Sequence, residues 1–385
     1  MRILWWQEPF WPRVGGMAIV AESVLRGLRE CGDEIAVVTA LDSAALPRAT
    51  EWNGIRVRRF PFWQALNAAR IDEVMRLRRE IEALRGDFAP DVVHMNGLGP
   101  SALFHLGSAR TADTPLLVSL HSSNTLSGAA TALARQTLEH AHWVTACSRS
   151  LLHAACAAVP AIARRGSVVY NGADPPQLAP SPLPEAPRVL CLGDLAPHKG
   201  FDLAVRALPH LLRRFPTLQL IIAGEGPWRR DLTQLAARAG VSGAVELAGR
   251  VLHDDVPHLL NEATLVAVPS RRESFPLVAL EAALMARPVV AARVGGLAEI
   301  VAHGETGLLV EPDSSAALAS AIGMLLASPA IAERFGREAR RRVLREFGLQ
   351  RQVDAYRMLH KHVVEHAQRA SAPASGAHEV ERACE

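Results

Sequence analysis

Short runs of apolar and β-branched residues alternate with longer amphipathic stretches along the whole chain. Val37-Val38-Thr39, Asp91-Val92-Val93-His94, residues 116–120, residues 143–146 and Val168-Val169-Tyr170 are nearly continuous apolar runs. That is the pattern of strands covered on both faces of a parallel sheet. Between residues 174 and 187 stand Pro175, Pro176, Pro180, Pro182, Pro184 and Pro187, a composition that neither continues a helix nor sits inside a sheet. The alternation then restarts at 188–192, 220–223, 244–247, 265–268, 288–291 and 307–310. From about residue 332 the pattern is helical to about 368.

These periods predict two doubly wound α/β domains. The N-terminal one covers 1–174 and a Pro-rich linker covers 175–187. The C-terminal one covers 188–345, a helix over 346–368 returns to the first domain, and 369–385 is a disordered tail. Open sheets of this kind bind ligands beyond the carboxyl ends of their strands, so two of them facing each other form a cleft.

Composition narrows the function. With 385 residues, 49% of them apolar, the chain can bury the cores of two domains. The net charge of +3 comes from 42 basic and 39 acidic residues, and residues 1–187 hold 18 Arg against 17 acids. Neither half is a basic block, which argues against nucleic acid as a partner. Cys31, Cys147, Cys156, Cys191 and Cys384 lie far apart with no C-x-x-C pair, so reduced thiols in a cytoplasmic protein are expected. The apolar start at Met1–Trp6 is cut short by Gln7 and Glu8, too early for a signal peptide, and no apolar run reaches about 18 residues. No acids stand at metal-ligand spacing, so no metal is expected to be required.

The densest chemical signal follows the strand at 265–268. Ser270, Arg271, Arg272, Glu273, Ser274, Phe275, Pro276 and Leu277 lead into a helix that carries Glu281. Ser274 is expected to be the N-cap and Pro276 to lie in the first turn, which leaves the amides of Phe275, Leu277 and Val278 as an anion site fit for phosphates. Glu281 suits vicinal ribose hydroxyls, and Glu273 suits the sugar or its phosphate. Lys199 stands out because the chain holds only one other lysine, Lys361, among 40 arginines, which makes it a candidate for a chemical role. Near the N-terminus, Gly15 and Gly16 follow the first strand where backbone can approach a ligand. His121 ends the strand at 116–120.

Glu273 and Glu281, with seven residues between them, resemble the E-x7-E signature of the retaining group 1 glycosyltransferases, glycosyltransferase family 4. Gly193 to Gly200 is similar to that family's glycine-to-Lys-Gly loop, and Ala223 to Pro227 to its acidic glycine turn. Pro288 to Glu299, Gly304 to Val310 and Tyr170 to Asp174 agree, and Gly15-Gly16 and His121 carry the likeness more loosely into the first half. The resemblance implies the GT-B fold and a metal-independent, retaining hexosyltransferase. Lys199, Glu273 and His121 would be catalytic, with His121 beside the transferred sugar. Gly15, Gly16, Gly193, Lys199, Val251, Glu273, Ser274, Phe275, Pro276, Leu277 and Glu281 would bind the donor. No cofactor is implied; the substrates are a nucleotide-diphosphate sugar, UDP being the commonest base, and a glycan or lipid-linked acceptor.

The family has Arg after the first glycine of the Lys-Gly loop, where this chain has Asp194. Either Arg13, Arg271 or Arg272 compensates, or donor affinity is weakened, or transfer is lost. A 2-epimerase of the same fold and a non-catalytic nucleotide-sugar binding subunit are the alternatives. The segment 70–85 reads as a helix with a core-facing stripe of Ile71, Val74, Leu77, Ile81 and Leu84 and a solvated face of five arginines; peripheral docking on an anionic membrane is its alternative reading.

Overall fold

The computed structural model describes residues 1–12, 15–68, 70–107, 114–122 and 131–371. The chain divides into two compact units. The first holds Met1–Ala146, Ala154–Ser167 and the chain from Val353 onward; the second holds Cys147–His153 and Val168–Gln352. These bounds differ from the expected ones at 174 and 345, because residues just before the prolines already bond within the second unit. Tyr170 Oη donates to Glu299 at 2.9 Å, and the Gly172 amide donates to Gln352 Oε1 at 2.8 Å.

Among the described residues the first unit is built on eight strands: β1 (Arg2–Trp6), β2 (Glu34–Ala40), β3 (Ala49–Trp52), β4 (Ile55–Phe60), β5 (Val92–Asn96), β6 (Leu116–Leu120), β7 (Trp143–Ala146) and β8 (Gly166–Val168). Their order is β3-β4-β2-β1-β5-β6-β7-β8. The pairings of β4, β2, β1, β5, β6 and β7 are parallel, and β3 runs against its neighbour β4. The β3–β4 hairpin is turned by Asn53 and Gly54, both at positive φ, as a two-residue turn between right-twisted strands requires. The strand expected at 168–170 lies two residues earlier, since Val169 and Tyr170 leave the sheet.

Behind β1 the helix Gly16–Glu30 buries Val20, Val24 and Leu28, spaced four apart on one face. Gly27 on that helix has no side chain for a reason: a Cβ there would stand 2.6 Å from Val353 Cγ2, so glycine admits the helix Leu349–Ser371. In the helix Ile71–Phe88 the expected stripe holds at Leu77 and Ile81, both fully buried, but Ile71 is exposed. Arg85, expected on the solvated face, is buried instead.

The second unit holds β9 (Arg188–Leu192), β10 (Gln219–Ala223), β11 (Val245–Gly249), β12 (Leu265–Val268), β13 (Val289–Ala292) and β14 (Gly307–Val310), all parallel, in the order β11-β10-β9-β12-β13-β14. Its core joins Val189, Cys191, Leu220, Ile222 and Leu265 to Val205, Leu208, Leu318 and Ile322 on the flanking helices. Each large aliphatic side chain taken from water there stabilises the unit by about 1.5–3 kcal/mol.

The proline-rich stretch is docked on this unit: Arg287, fully buried, donates to Ser181 O and Oγ and to the carbonyls of Leu260 and Asn261. Burial lowers its pKa to about 10, and the ring of oxygens meets the cost of placing the cation there. The helical stretch from about 332 is two helices, Pro329–Glu346 and Leu349–Ser371, the second standing where the helix over 346–368 is expected. The expected tail lies outside the described residues beyond Ser371. Among the described residues no single helix is long and apolar enough to cross a membrane.

Candidate active site

In the second unit the strand order reverses at β9, which has β10 on one side and β12 on the other. Loops leaving the carboxyl ends of β9 and β12 part there, the place where open α/β sheets take their ligands. Lys199 comes from the first of these loops and Glu273 from the second. Lys199 Nζ lies 2.7 Å from Glu273 Oε1, and Ser270 Oγ donates to the same oxygen at 2.9 Å. Both members of the pair are largely shielded, with side chains 20% and 10% exposed. An ion pair so placed is held more firmly than a surface pair.

Glycines fix the loops at this distance. Gly193 sits at φ +146° with the Lys199 stem against it, its nearest approach to a Cβ being Cε at 3.6 Å. The Arg271 amide donates to His198 O at 2.7 Å, lacing the two loops together. Gly295, at φ +46°, lies so close that a Cβ would stand 1.7 Å from Glu273 O, and the Gly296 amide donates to Ser274 O at 3.1 Å. The loop after β13 therefore clamps the Glu273 backbone from the other side.

The helix carrying Glu281 is Leu277–Leu284, and Pro276 occupies its N-cap without a side-chain cap bond. Ser274 is not the cap, contrary to expectation: its carbonyl is taken by Gly296, and Pro276 at φ −77°, ψ 123° is the last extended residue. Phe275 is buried, with its ring 5.5 Å from that of Tyr170, so it braces the loop through its side chain. The amides of Leu277 and Val278 head the helix, where N–H groups have no intrahelical acceptor and the helix dipole favours an anion.

Glu281 is about four-fifths buried, and burial raises its carboxyl pKa to about 7. His253 Nδ1 stands 3.6 Å from Glu281 Oε1. Val251, two residues earlier, is half-buried in the same loop after β11.

Arg271 cannot stand in for the missing loop arginine. Its guanidinium is spent on Asp202 and Asp313 and on Pro197 O, and these bonds push its pKa up further. Arg272 is exposed and makes no ion pair among the described residues. Arg13 lies outside the described residues. Asp194 is exposed on the loop that carries Lys199.

The first unit holds the other expected residues. Its strand order reverses between β1 and β5, and Gln7, Asn96 and His121 stand at the carboxyl ends of β1, β5 and β6. His121 Nε2 is 2.7 Å from Asn96 Oδ1. Burial lowers the His121 pKa to about 4, so the ring is neutral at physiological pH. Gly15 precedes the helix Gly16–Glu30 in extended backbone, with open space where a Cβ would go; Gly16 is the exposed first residue of that helix. Nothing in the backbone at Gly15 demands glycine.

Sequence reasoning missed Ser270, His253, Asn96 and Gln7. His253 and Asn96 touch Glu281 and His121 across long gaps in sequence that only the sheet order closes, Gln7 bonds Asn96, and Ser270 lies in the same loop as Glu273. Among the described residues no group of three or more His, Cys, Asp or Glu is gathered as a metal site.

Comparison with known proteins places this geometry. The family described as "Glycosyl transferases group 1" matches residues 178–342, and "Glycosyltransferase Family 4" matches residues 14–177. A glycogen synthase of Mycobacterium tuberculosis is 34% identical over 282 residues, 68% of this chain and 66% of that protein, so the chain spans just under two thirds of it. The alpha-D-kanosaminyltransferase of Streptomyces kanamyceticus is 31% identical over 291 residues, 69% of this chain and 73% of that enzyme. Among solved structures, sucrose-phosphate synthase from Thermosynechococcus elongatus superposes with a TM-score of 0.79 at 22% identity over 95% of this chain and 99% of that one. Anabaena HepE, solved in complex with UDP and glucose, superposes with a TM-score of 0.78 at 23% identity over 94% and 100%. The chain belongs to the group 1 glycosyltransferases and has their GT-B fold of two parallel-sheet α/β domains.

Proposed function

We propose that the protein is a retaining glycosyltransferase that moves a hexose-type sugar from a nucleotide-diphosphate donor, with UDP as the base, to a hydroxyl of a glycan, lipid-linked or small-molecule acceptor in the cytoplasm. The observation that carries this reading is the Lys199–Glu273 pair at the β9/β12 reversal, on loops locked by Gly193 and Gly295. The HepE structure with UDP and glucose supports the choice of base, since its fold is shared across nearly the whole chain. Relatives named as transferases favour transfer over 2-epimerisation.

In this mechanism the anomeric C–O bond breaks as the diphosphate leaves, and the sugar becomes oxocarbenium-like. Positive charge on the leaving group matters more than a strong base. Lys199 and the amides heading the helix at Leu277 supply that charge from fixed positions, where it is worth more than in water. Glu273 holds Lys199 in place before the donor arrives and then takes hydrogen bonds from sugar hydroxyls; Glu281 takes those of the ribose. The acceptor hydroxyl attacks from the face the diphosphate leaves, a phosphate oxygen receives its proton, and configuration is retained. No divalent ion is needed.

Exposed Trp63, Ile71 and Met75, in the same stretch as exposed Arg70, Arg76 and Arg79, support a peripheral contact with anionic lipid. Thermal shift with UDP, GDP and ADP, each with and without a chelator, tests the donor assignment. Stabilisation by UDP that survives chelation is expected. Stabilisation by none of the three, or only with added manganese, would overturn it.

A further inference from the structure

The loop after β1 carries a carboxylate to which the proposed chemistry gives no role. Glu8 follows Gln7 at the carboxyl end of β1, and residues 97–101 leave the carboxyl end of β5. The strand order reverses between these two strands, so their loops part where an open α/β sheet takes a ligand.

Glu8 is fixed there from two sides. Thr39 Oγ1 donates to its carbonyl at 2.7 Å and the Ala40 amide does so at 3.2 Å, tying its backbone to the end of β2. From the loop after β5 the Ser101 amide donates to Glu8 Oε1 at 2.6 Å. The Trp6 indole N–H, which can only donate, takes Ser101 Oγ as its acceptor at 2.9 Å, so the Ser101 hydroxyl proton is left for the Glu8 carboxylate. Gly99 makes room for this arrangement: a Cβ there would stand 2.3 Å from Glu8 Oε1.

A cation is missing from the arrangement. Among the described residues no Arg, Lys or His pairs with Glu8, and the charged group that acts on it is another acid, Asp42. Burial pushes the Glu8 carboxyl up, the bonds from Ser101 pull it back, and Asp42 adds to the rise. A carboxylate has room for about four hydrogen bonds, and Ser101 supplies two of them. A largely shielded anion in this state is costly until a ligand completes it. Glu8 is still partly accessible, so a ligand can reach it. That ligand must donate: a phosphate or carboxylate would be repelled by both acids, whereas neighbouring hydroxyls of a sugar ring can donate together to one carboxylate.

We infer that Glu8 is a specificity-determining residue for the acceptor, taking hydrogen bonds from hydroxyls of a neutral sugar ring and turning away acceptors that present an anion at that point. The uncompensated carboxylate stands on the geometry alone; its role toward an acceptor rests on the transferase reading above.

Saturation-transfer NMR on the full-length protein tests this, with maltose, the methyl α-glycosides of glucose, mannose and galactose, glucosamine and glucuronic acid as probes. At least one neutral sugar should bind, and glucuronic acid should not. In Glu8→Gln the amide oxygen still accepts from Ser101, but the NH2 group cannot accept from a hydroxyl. The neutral sugar should then bind about ten-fold more weakly, in a protein that melts no lower than the wild type. A Glu8 that served only to hold Ser101 would lose no sugar affinity on this change. Equal affinity in the two proteins, no neutral sugar bound by the wild type, or binding of glucosamine alone would overturn the inference. Should Glu8→Gln fail to fold, Glu8→Asp, which keeps the charge but shortens the arm by a methylene, takes its place with the same expected loss. A neutral sugar bound through Glu8 by a protein that releases no UDP from UDP-glucose in its presence would sink the transferase reading and leave the Glu8 site intact.

Discussion

Replacing Glu281 with Gln should make the ligand-free protein more stable at pH 8 while removing a group proposed to bind the donor. Burial lifts the Glu281 carboxyl from its ordinary 4.5 to about 7, which corresponds to about 3.5 kcal/mol. The sign follows from proton counting. Between pH 4.5 and about 7 the folded protein holds a proton that the unfolded chain has released, so stability falls as pH rises through this window, and above it the full penalty for a buried carboxylate remains.

The amide introduced by Glu281→Gln has nothing to ionise and escapes that penalty. The gain should be about 2–3 kcal/mol, or about 5–10 °C for a unit of this size. Thermal unfolding of both proteins from pH 4.5 to 9 checks it. The curves should meet near pH 4.5, diverge up to pH 7 and run parallel above. Equal melting temperatures at pH 8, or a more stable wild type, would refute the burial argument. Such a trade of stability for a polar group in place is common at functional sites.

Other consequences can be measured separately. Gly295→Ala would bring a Cβ within 1.7 Å of Glu273 O at a residue with φ +46°, and should cost about 3 kcal/mol or more in urea unfolding and misplace Glu273; an unchanged midpoint would contradict the clamp. The buried His94, His105, His121 and His360 all have pKa values depressed by burial, so the unfolded chain binds protons first as pH falls below about 6.5. Stability is then lost, by about 2 kcal/mol at pH 5 for each of His105, His121 and His360, and a urea midpoint flat between pH 7 and 5 would refute this. Asp194→Arg should tighten UDP binding about ten-fold by restoring a cation on the Lys199 loop; calorimetry showing weaker binding would place Asp194 away from the diphosphate.

Much of the fold was legible because parallel strands covered on both faces must be apolar throughout. The runs at 116–120, 143–146, 188–192, 265–268 and 307–310 coincide with β6, β7, β9, β12 and β14. The β3–β4 hairpin was not anticipated, although Asn53-Gly54 is the dipeptide that marks such a turn. Its strands alternate charged and apolar residues at a sheet edge and so lack a continuous run.

In the site, Lys199, Glu273 and Glu281 could be singled out because each is a charged residue in a strand-to-helix loop or its helix. The Ser274 cap failed because a neighbouring loop, about 20 residues on, takes its carbonyl. Arg271 failed as a phosphate ligand because Asp202 and Asp313 claim it first. Both outcomes depend on which loops the sheet order makes adjacent, and local sequence does not encode that.

Single-turnover release of UDP from UDP-glucose, followed by rapid quench in wild type and in Lys199→Ala, tests the central claim most directly. The wild type should release UDP, and the variant should do so about 100- to 1000-fold more slowly with its fold intact by circular dichroism. Equal rates in the two proteins would contradict the assignment of Lys199 to the leaving diphosphate.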